Sequence, residues 1–349
     1  MKILYIGAYK EPSGWGEASR TDLFALSKHF DVVARPIIYQ GGVSHPFLDQ
    51  LELKSPEGIT HVLQYCLPTE YDMYGRIPHF GYCEIESNDL TYSKWPEHFN
   101  KIRALFVPNK TALDVESNSE VIKHYLPHAI NTDKFNKEYP VPPIKQASGD
   151  FKFLCVAEAI PRKNIEGLIE AYYTEFDPTE PVSLIIKTNR NIDNIIRGVQ
   201  NKVKLYRSEV FYKKVIVISD RIKESDMMGL YQMSDCVINT SMGESWCLPI
   251  VNGVGFNKWV ITSNLGGPAD ICEKYPYTKY LTANREQCHY GSNIENFQNS
   301  SDYWYKPTTK SIREEMRSVV NDKTEKVKSN VLEKFTEEKF CGRLEELLG

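Results

Sequence analysis

Short runs of continuous apolar residues, each followed by a stretch with helical periodicity, recur in two series along this chain. That rhythm limits what the chain can fold into more than any other feature. The first series opens with KILYIGA (2–8), a helical pattern over 16–30 and DVVARPII (31–38). It continues with HVLQYC (61–66), HFGYCEI (79–85), ALFVP (104–108) and VIKHYL (121–126). A Pro-rich stretch over 136–149 reads as a linker. The rhythm then restarts with FKFLCVAE (151–158), VSLIIKT (182–188), VIVIS (215–219), DCVINTS (235–241) and WVITS (259–263). Unbroken apolar runs with interposed helices are the pattern of parallel strands covered on both faces. A chain of 349 residues is also more naturally two domains than one. The expectation is therefore an α/β protein with domains over 1–143 and 150–325, closed by charged amphipathic helices near 309–320 and 326–348.

Composition removes several alternatives. A formal net charge of −4 gives no general attraction to nucleic acid or an anionic membrane. The eight cysteines contain no Cys-x-x-Cys pair and mostly lie inside apolar runs, which fits buried free thiols better than disulfides or zinc. No stretch reaches the roughly 18 uncharged apolar residues of a membrane helix. The expected location is cytoplasmic, with peripheral membrane contact left open. The segment 276–303, rich in Tyr, Asn and Ser, reads as a long loop.

Doubly wound sheets bind ligands at the carboxyl ends of their strands, and two such sheets facing each other would form a cleft. The informative residues sit just after strands. Ser13-Gly14-Trp15-Gly16 follows the first strand and leads into a helix; glycines there let a backbone approach an anion, or serve turn geometry alone. After FKFLCVAE come Arg162, Lys163 and Asn164. Adjacent Arg and Lys can grip a diphosphate, with Asn164 capping the next helix. Two solvated cations are the bland alternative. Lys187, ending the next run, either joins that pocket or snorkels at the surface. The densest segment runs from Asp235 to Asn252, with Gly243-Glu244-Ser245-Trp246-Cys247-Leu248-Pro249 between a strand and a helix, followed by WVITS and Gly266-Gly267. The amides of Cys247 and Leu248 would face a phosphate at that helix start. In the first half, Glu84 and Glu86 are read as two residues on one strand face, about 6.6 Å apart. His79 and His128 lie near strand ends and are read as structural.

The order of these pieces resembles the retaining, nucleotide-sugar-dependent glycosyltransferases of the GT-B fold, family-4 (group 1) type. That resemblance implies two Rossmann-like domains, with the helix near 326–349 packing back on the first. It also places Glu244 at the first Glu of the family's Glu-x7-Glu pattern and Asn252 at the second, which would contact the ribose. Ser245 and Cys247 stand at usual glycines. Lys163 matches the family's lysine, Arg162 takes the role of an arginine whose place holds Glu158, and Glu86 matches a subgroup acid. The implied catalytic set is Glu244, Lys163, Arg162 and Glu86. The implied donor-binding set is Gly14, Gly16, Arg162, Lys163, Lys187, Glu244, Ser245, Trp246, Cys247, Leu248 and Asn252, with Glu84 and Glu86 toward the acceptor. No cofactor or metal is expected, a UDP-, GDP- or ADP-sugar being the co-substrate. Open acceptor classes are glycan, lipid-linked sugar, small molecule, protein and modified nucleic acid. Two other functions remain: a nucleotide-sugar-binding protein without catalysis, and a glycoside hydrolase using Glu84 and Glu86.

Overall fold

A computed structural model describes residues 1–349 apart from 40, 41, 43, 74, 92, 207–211, 213, 214 and 289–301. The chain divides into two compact units. The first comprises Met1–Thr132, Gly291–Tyr303 and Glu333–Gly349, and the second Asp133–Tyr290 and Trp304–Leu332.

In the first unit, β1 (Lys2–Gly7), β2 (Asp31–Pro36), β3 (His61–Tyr65), β4 (His79–Tyr82), β5 (Ala104–Val107) and β6 (Lys123–Tyr125) form a sheet of order β2-β1-β3-β4-β5-β6, parallel throughout. β4 and β5 are buried at every residue, as unbroken apolar runs covered on both faces should be. Three helices lie between strands: α1 (Gly14–His29), α2 (Pro46–Glu52) and the short α3 (Trp95–Phe99).

The second unit repeats the plan. β7 (Phe151–Val156), β8 (Val182–Lys187), β9 (Ile216–Ile218), β10 (Cys236–Ile238), β11 (Trp259–Ser263) and β12 (Thr278–Leu281) pair in parallel in the order β12-β11-β10-β7-β8-β9. Between them run α4 (Ile165–Glu175), α5 (Asp193–Val203), α6 (Glu224–Met233), α7 (Leu248–Gly255) and α8 (Gly266–Cys272). The α4 stripe buries Ile165, Leu168, Ile169 and Tyr172 as its periodicity requires. The segment expected as a loop from 276 instead supplies β12 as an edge strand, then β13 (Ala283–Gln287), which pairs with β14 (Tyr303–Pro307). An edge strand can stay polar on its open side, so Thr278-Lys279-Tyr280 carries too little apolar signal to be read as one. The rest of that expected loop, 289–301, lies outside the described residues.

Two helices close the chain, α9 (Thr309–Asn321) and α10 (Glu337–Leu348). The last starts later than the sequence pattern suggests, because 326–330 is irregular and 331–335 is a 3-10 turn. Phe340, Cys341, Leu344 and Leu348 of α10 join the same core as Leu23 and Leu26 of α1. Backbone at Ile130 also donates to Phe335, at 2.7 Å.

At the start of α1 the Ser13 hydroxyl accepts from Gly16 N at 3.2 Å, which caps the helix. Gly16 is required by close approach: a Cβ there would lie 2.0 Å from the Glu11 carbonyl oxygen. Gly16→Ala is expected to destabilise the protein by about 2 kcal/mol. Gly198→Ala, within α5 where an added Cβ meets nothing within 4 Å, should stabilise it by about 0.5–1 kcal/mol. Urea-unfolding midpoints of the two variants test this, and equal shifts would contradict it.

Candidate active site

Beyond β7 the chain crosses the carboxyl end of the second sheet as the 3-10 turn Pro161–Lys163 and enters α4 through Asn164. The structure corrects the capping role expected of Asn164. Its φ of 50° and ψ of 38° are left-handed, and its side chain makes no capping bond. An N-cap needs extended backbone for its oxygen to reach the helix amides, whereas Asn tolerates the left-handed region that this tight reversal demands. Its side chain instead lies over Gly167, where a Cβ would sit 2.6 Å from Oδ1.

From β10 the chain runs into the loop carrying Glu244. Lys163 Nζ donates to Glu244 Oε1 at 2.6 Å, and Arg162 Nη1 lies 3.7 Å from Oε2. Asn239 Nδ2 adds a bond to Oε1 at 3.2 Å and another to Cys247 Sγ at 2.7 Å. Arg162 also donates from Nη1 to the Gly243 carbonyl. The side chains of Arg162 and Glu244 are each 8 % exposed. Burial on its own would raise the Glu244 carboxyl. Lys163 and Arg162, helped by bonds from Lys163 and Asn239, outweigh it and hold the group below the usual carboxylate range.

The loop backbone is clamped by the glycine pair that opens α8. Gly266 has φ +62°, and a Cβ there would lie 2.0 Å from the Glu244 carbonyl oxygen; one at Gly267 would lie 2.3 Å from that of Trp246. Gly267 N donates to Glu244 O at 3.3 Å. Cys247, at a position where the resemblance expects glycine, has φ 77° and ψ 71°. The backbone still has the glycine conformation although the residue has changed, a strain of order 1 kcal/mol. Ser245 and Trp246 are buried, and α7 begins at Leu248 with Pro249 in its first turn. Asn252, on α7, is buried with Oδ1 lacking a partner among the described residues.

The expected residues are only partly brought together. Lys187 ends β8, but its ammonium bonds the carbonyl of Thr188 at 2.8 Å rather than Glu244. Burial holds it below the usual lysine range. Gly14 and Gly16 belong to the first unit. Asn239 was quoted within a strand but given no role. Its position at a strand end, five residues before Glu244, is the signal that marks it.

The reading of Glu84 and Glu86 as neighbours on one strand face is wrong. β4 ends at Tyr82, where its partners β3 and β5 also finish, and the last rung is Cys83 N to Phe106 O at 3.0 Å. The side-chain alternation of a strand therefore does not reach them. Glu84 instead joins a buried cluster. His128 Nε2 lies 2.5 Å from Glu84 Oε1, and His128 Nδ1 lies 2.6 Å from Asp22 Oδ2. Tyr65 donates to Glu84 Oε1 at 2.6 Å. Burial would lower the His128 imidazole, but Asp22 and Glu84 outweigh it and push its pKa up to about 10. Burial raises the Asp22 carboxyl, opposed by His128 and the Ala129 amide. The hydrolase alternative loses the paired-carboxylate geometry on which it stood.

Among the described residues, no group of three His, Cys, Asp or Glu could hold a metal ion, and no helix is long and apolar enough to cross a membrane. All eight cysteines are free, and all but Cys288 are buried.

Gly266→Ala is expected to cost about 2–3 kcal/mol, since it combines left-handed strain with a backbone collision. Urea unfolding measures it, and a neutral result would show that the loop yields freely. A carboxyl held below its unfolded value, near 4.5 for Glu244, contributes stability that is present above that pH and is lost as pH falls through the folded pKa. Glu244→Gln should therefore lose less stability than wild type between about pH 5 and about pH 2. An unchanged acid limb of the stability profile would remove this electrostatic account.

Comparison with known proteins places this arrangement. Among solved structures, the Anabaena protein HepE in complex with UDP-glucose is similar over 100 % of this chain and 99 % of its own, at 12 % identity and a TM-score of 0.68. An α,α-trehalose-phosphate synthase (UDP-forming) from Burkholderia xenovorans, in complex with glucose-6-phosphate, is similar over 99 % of both chains, at 9 % identity and a TM-score of 0.64. These likenesses establish the GT-B architecture. No curated protein sequence matches the chain. The family model described as "Glycosyl transferases group 1" matches residues 141–318, just over half of the chain and the span that holds Arg162, Lys163 and Glu244. The chain belongs to the group 1 glycosyltransferases.

Proposed function

We propose that this glycosyltransferase moves a hexose-type sugar from a nucleotide sugar to an acceptor hydroxyl, with retention of anomeric configuration and without a divalent metal. The observation that carries the reading is the buried cluster in which Arg162 and Lys163 converge on Glu244 at the carboxyl end of the second sheet. One carboxylate facing two cations leaves an excess positive charge, which suits a diphosphate. An arriving diphosphate competes with Glu244 for Lys163, and the freed carboxylate turns to hydroxyls of the sugar.

As the bond from C1 to the diphosphate oxygen breaks, negative charge grows on the leaving group. Arg162, Lys163 and the amides at the start of α7 stabilise that charge, supplying what a divalent ion would otherwise give. The acceptor oxygen bonds to C1 on the face that the diphosphate leaves, and the acceptor proton passes to a diphosphate oxygen. Asn252 replaces a charged ribose contact with a neutral amide, whose buried Oδ1 has no partner among the described residues. That same feature supports the second reading, a protein that binds the donor without turning it over. The uridine complexes of HepE make UDP-sugars the first donors to try.

Thermal stabilisation is measured against UDP-glucose, UDP-N-acetylglucosamine, GDP-mannose, ADP-glucose and their nucleotides without metal. One donor should stabilise the wild type, and Lys163→Ala should abolish the shift. In turnover assays Lys163→Ala should lower kcat by about one to two decades, the equivalent of one charge-assisted contact. No shift by any donor with the protein folded would overturn the proposal. A donor shift with no turnover on any acceptor would favour the binding protein.

A further inference from the structure

At the carboxyl edge of the first sheet, four side chains follow one another in the order of the strands themselves. The sheet runs β2-β1-β3-β4. Tyr39 follows β2, Trp15 follows β1, Tyr65 ends β3 and Glu84 follows β4. They touch in that sequence: the Tyr39 and Trp15 rings stack with centroids 5.4 Å apart, Tyr65 meets Trp15 edge-on at 5.8 Å, and the Tyr65 hydroxyl donates to Glu84 Oε1 at 2.6 Å. Tyr39 keeps 37 % of its surface exposed. Aromatic surface beside a carboxylate is the chemistry that recognises a sugar ring, whose C–H face lies on the aromatic while its hydroxyls donate to the acid.

The carboxylate is held in a specific way. Carboxylate oxygens lie within 2.6 Å of both ring nitrogens of His128. A neutral imidazole would present a lone pair to one of them, so both nitrogens carry protons. The Tyr82 hydroxyl agrees: it donates to Leu126 O at 2.8 Å and so turns its oxygen toward Nδ1, 3.0 Å away. Asp22 and Glu84 thus flank an imidazolium, a chain with a net charge of −1. Side-chain exposure is 0 % for Asp22, 1 % for His128 and 22 % for Glu84. The surplus negative charge therefore reaches solvent through Glu84. Burying an ion chain costs several kcal/mol that apolar residues of similar volume would not, so its presence needs a reason beyond stability.

We propose that Glu84, fixed by the Asp22–His128 pair and flanked by Tyr65, Trp15 and Tyr39, is the acceptor subsite and takes a neutral sugar ring. Glu84 binds the ring hydroxyls, and His128 and Asp22 are positioning residues. The surplus negative charge disfavours phosphorylated sugars. The proposal deepens the transferase reading by naming the acceptor class, and it rests on that reading for the word acceptor.

Ligand-observed NMR with methyl α- and β-glycosides of glucose, mannose, galactose and N-acetylglucosamine tests it on the full chain. At least one glycoside is expected to bind the wild type. Glu84→Gln and His128→Gln should each weaken it by about ten- to a hundredfold, as loss of a charge-assisted contact does. Tyr65→Phe, which keeps the ion chain, gives a second variant if His128→Gln does not fold. In each variant, the thermal shift by whichever nucleotide stabilises the wild type should persist, which a general loosening of structure would not allow. The matching octyl glycoside separates two sources of the ring: equal affinity marks a free glycan and tighter binding a lipid-borne sugar, and either keeps the ring as the recognised group. Glycoside binding unchanged in Glu84→Gln would overturn the subsite. Nucleotide binding with no glycoside binding would overturn the acceptor class. Glycoside binding without any nucleotide response would leave the subsite standing and sink the donor reading, and binding of neither would sink both.

Discussion

Glu244 cannot be buried alone. An isolated carboxylate at 8 % exposure would take up a proton, so its charge depends on Lys163 and Arg162 standing beside it. Much of the second unit's local geometry follows from that need. The turn after β7 must reverse tightly enough to bring two adjacent cations back over the strand ends, which accounts for the left-handed Asn164. The Glu244 loop must stay close to the start of α8, which explains why two glycines press on its carbonyls. Cys247 keeps a backbone shape suited to glycine because the loop has no room to relax.

The two units carry ionic clusters of opposite balance, each at the carboxyl ends of its own sheet. In the second, two cations surround one carboxylate; in the first, two carboxylates surround one imidazolium. Neither arrangement suits stability as well as apolar packing would. Both make sense as prepared electrostatics. A positive surplus receives a group that must leave as an anion, and a negative one takes hydroxyl donors and repels phosphate.

The strands and the donor-side residues were legible in the sequence because each signal is local. An unbroken apolar run marks a buried parallel strand, and Arg162, Lys163 and Glu244 each lie a few residues past such a run. What the sequence did not show depends on where neighbours end or on partners far away. β4 stops at Tyr82 because β3 and β5 stop there, a fact absent from the run HFGYCEI itself. Asp22 and His128 are separated by 106 residues, and neither sits in a pattern that announces the other. His128 was therefore read as structural. Its contacts with Asp22 and Glu84 became visible only once β3, β4 and the segment after β6 were placed side by side.

The contribution of α10 to the first core has a consequence for synthesis. Leu23 and Leu26 emerge early, yet the side chains that complete their packing, from Phe340 to Leu348, emerge last. A growing chain can order the second sheet while the first still lacks one of its faces, and long-range contacts of this kind form slowly. Until the final helix arrives, the earliest-made part of the protein is the part most exposed to sticking, and the last turns of the ribosome decide when it becomes safe.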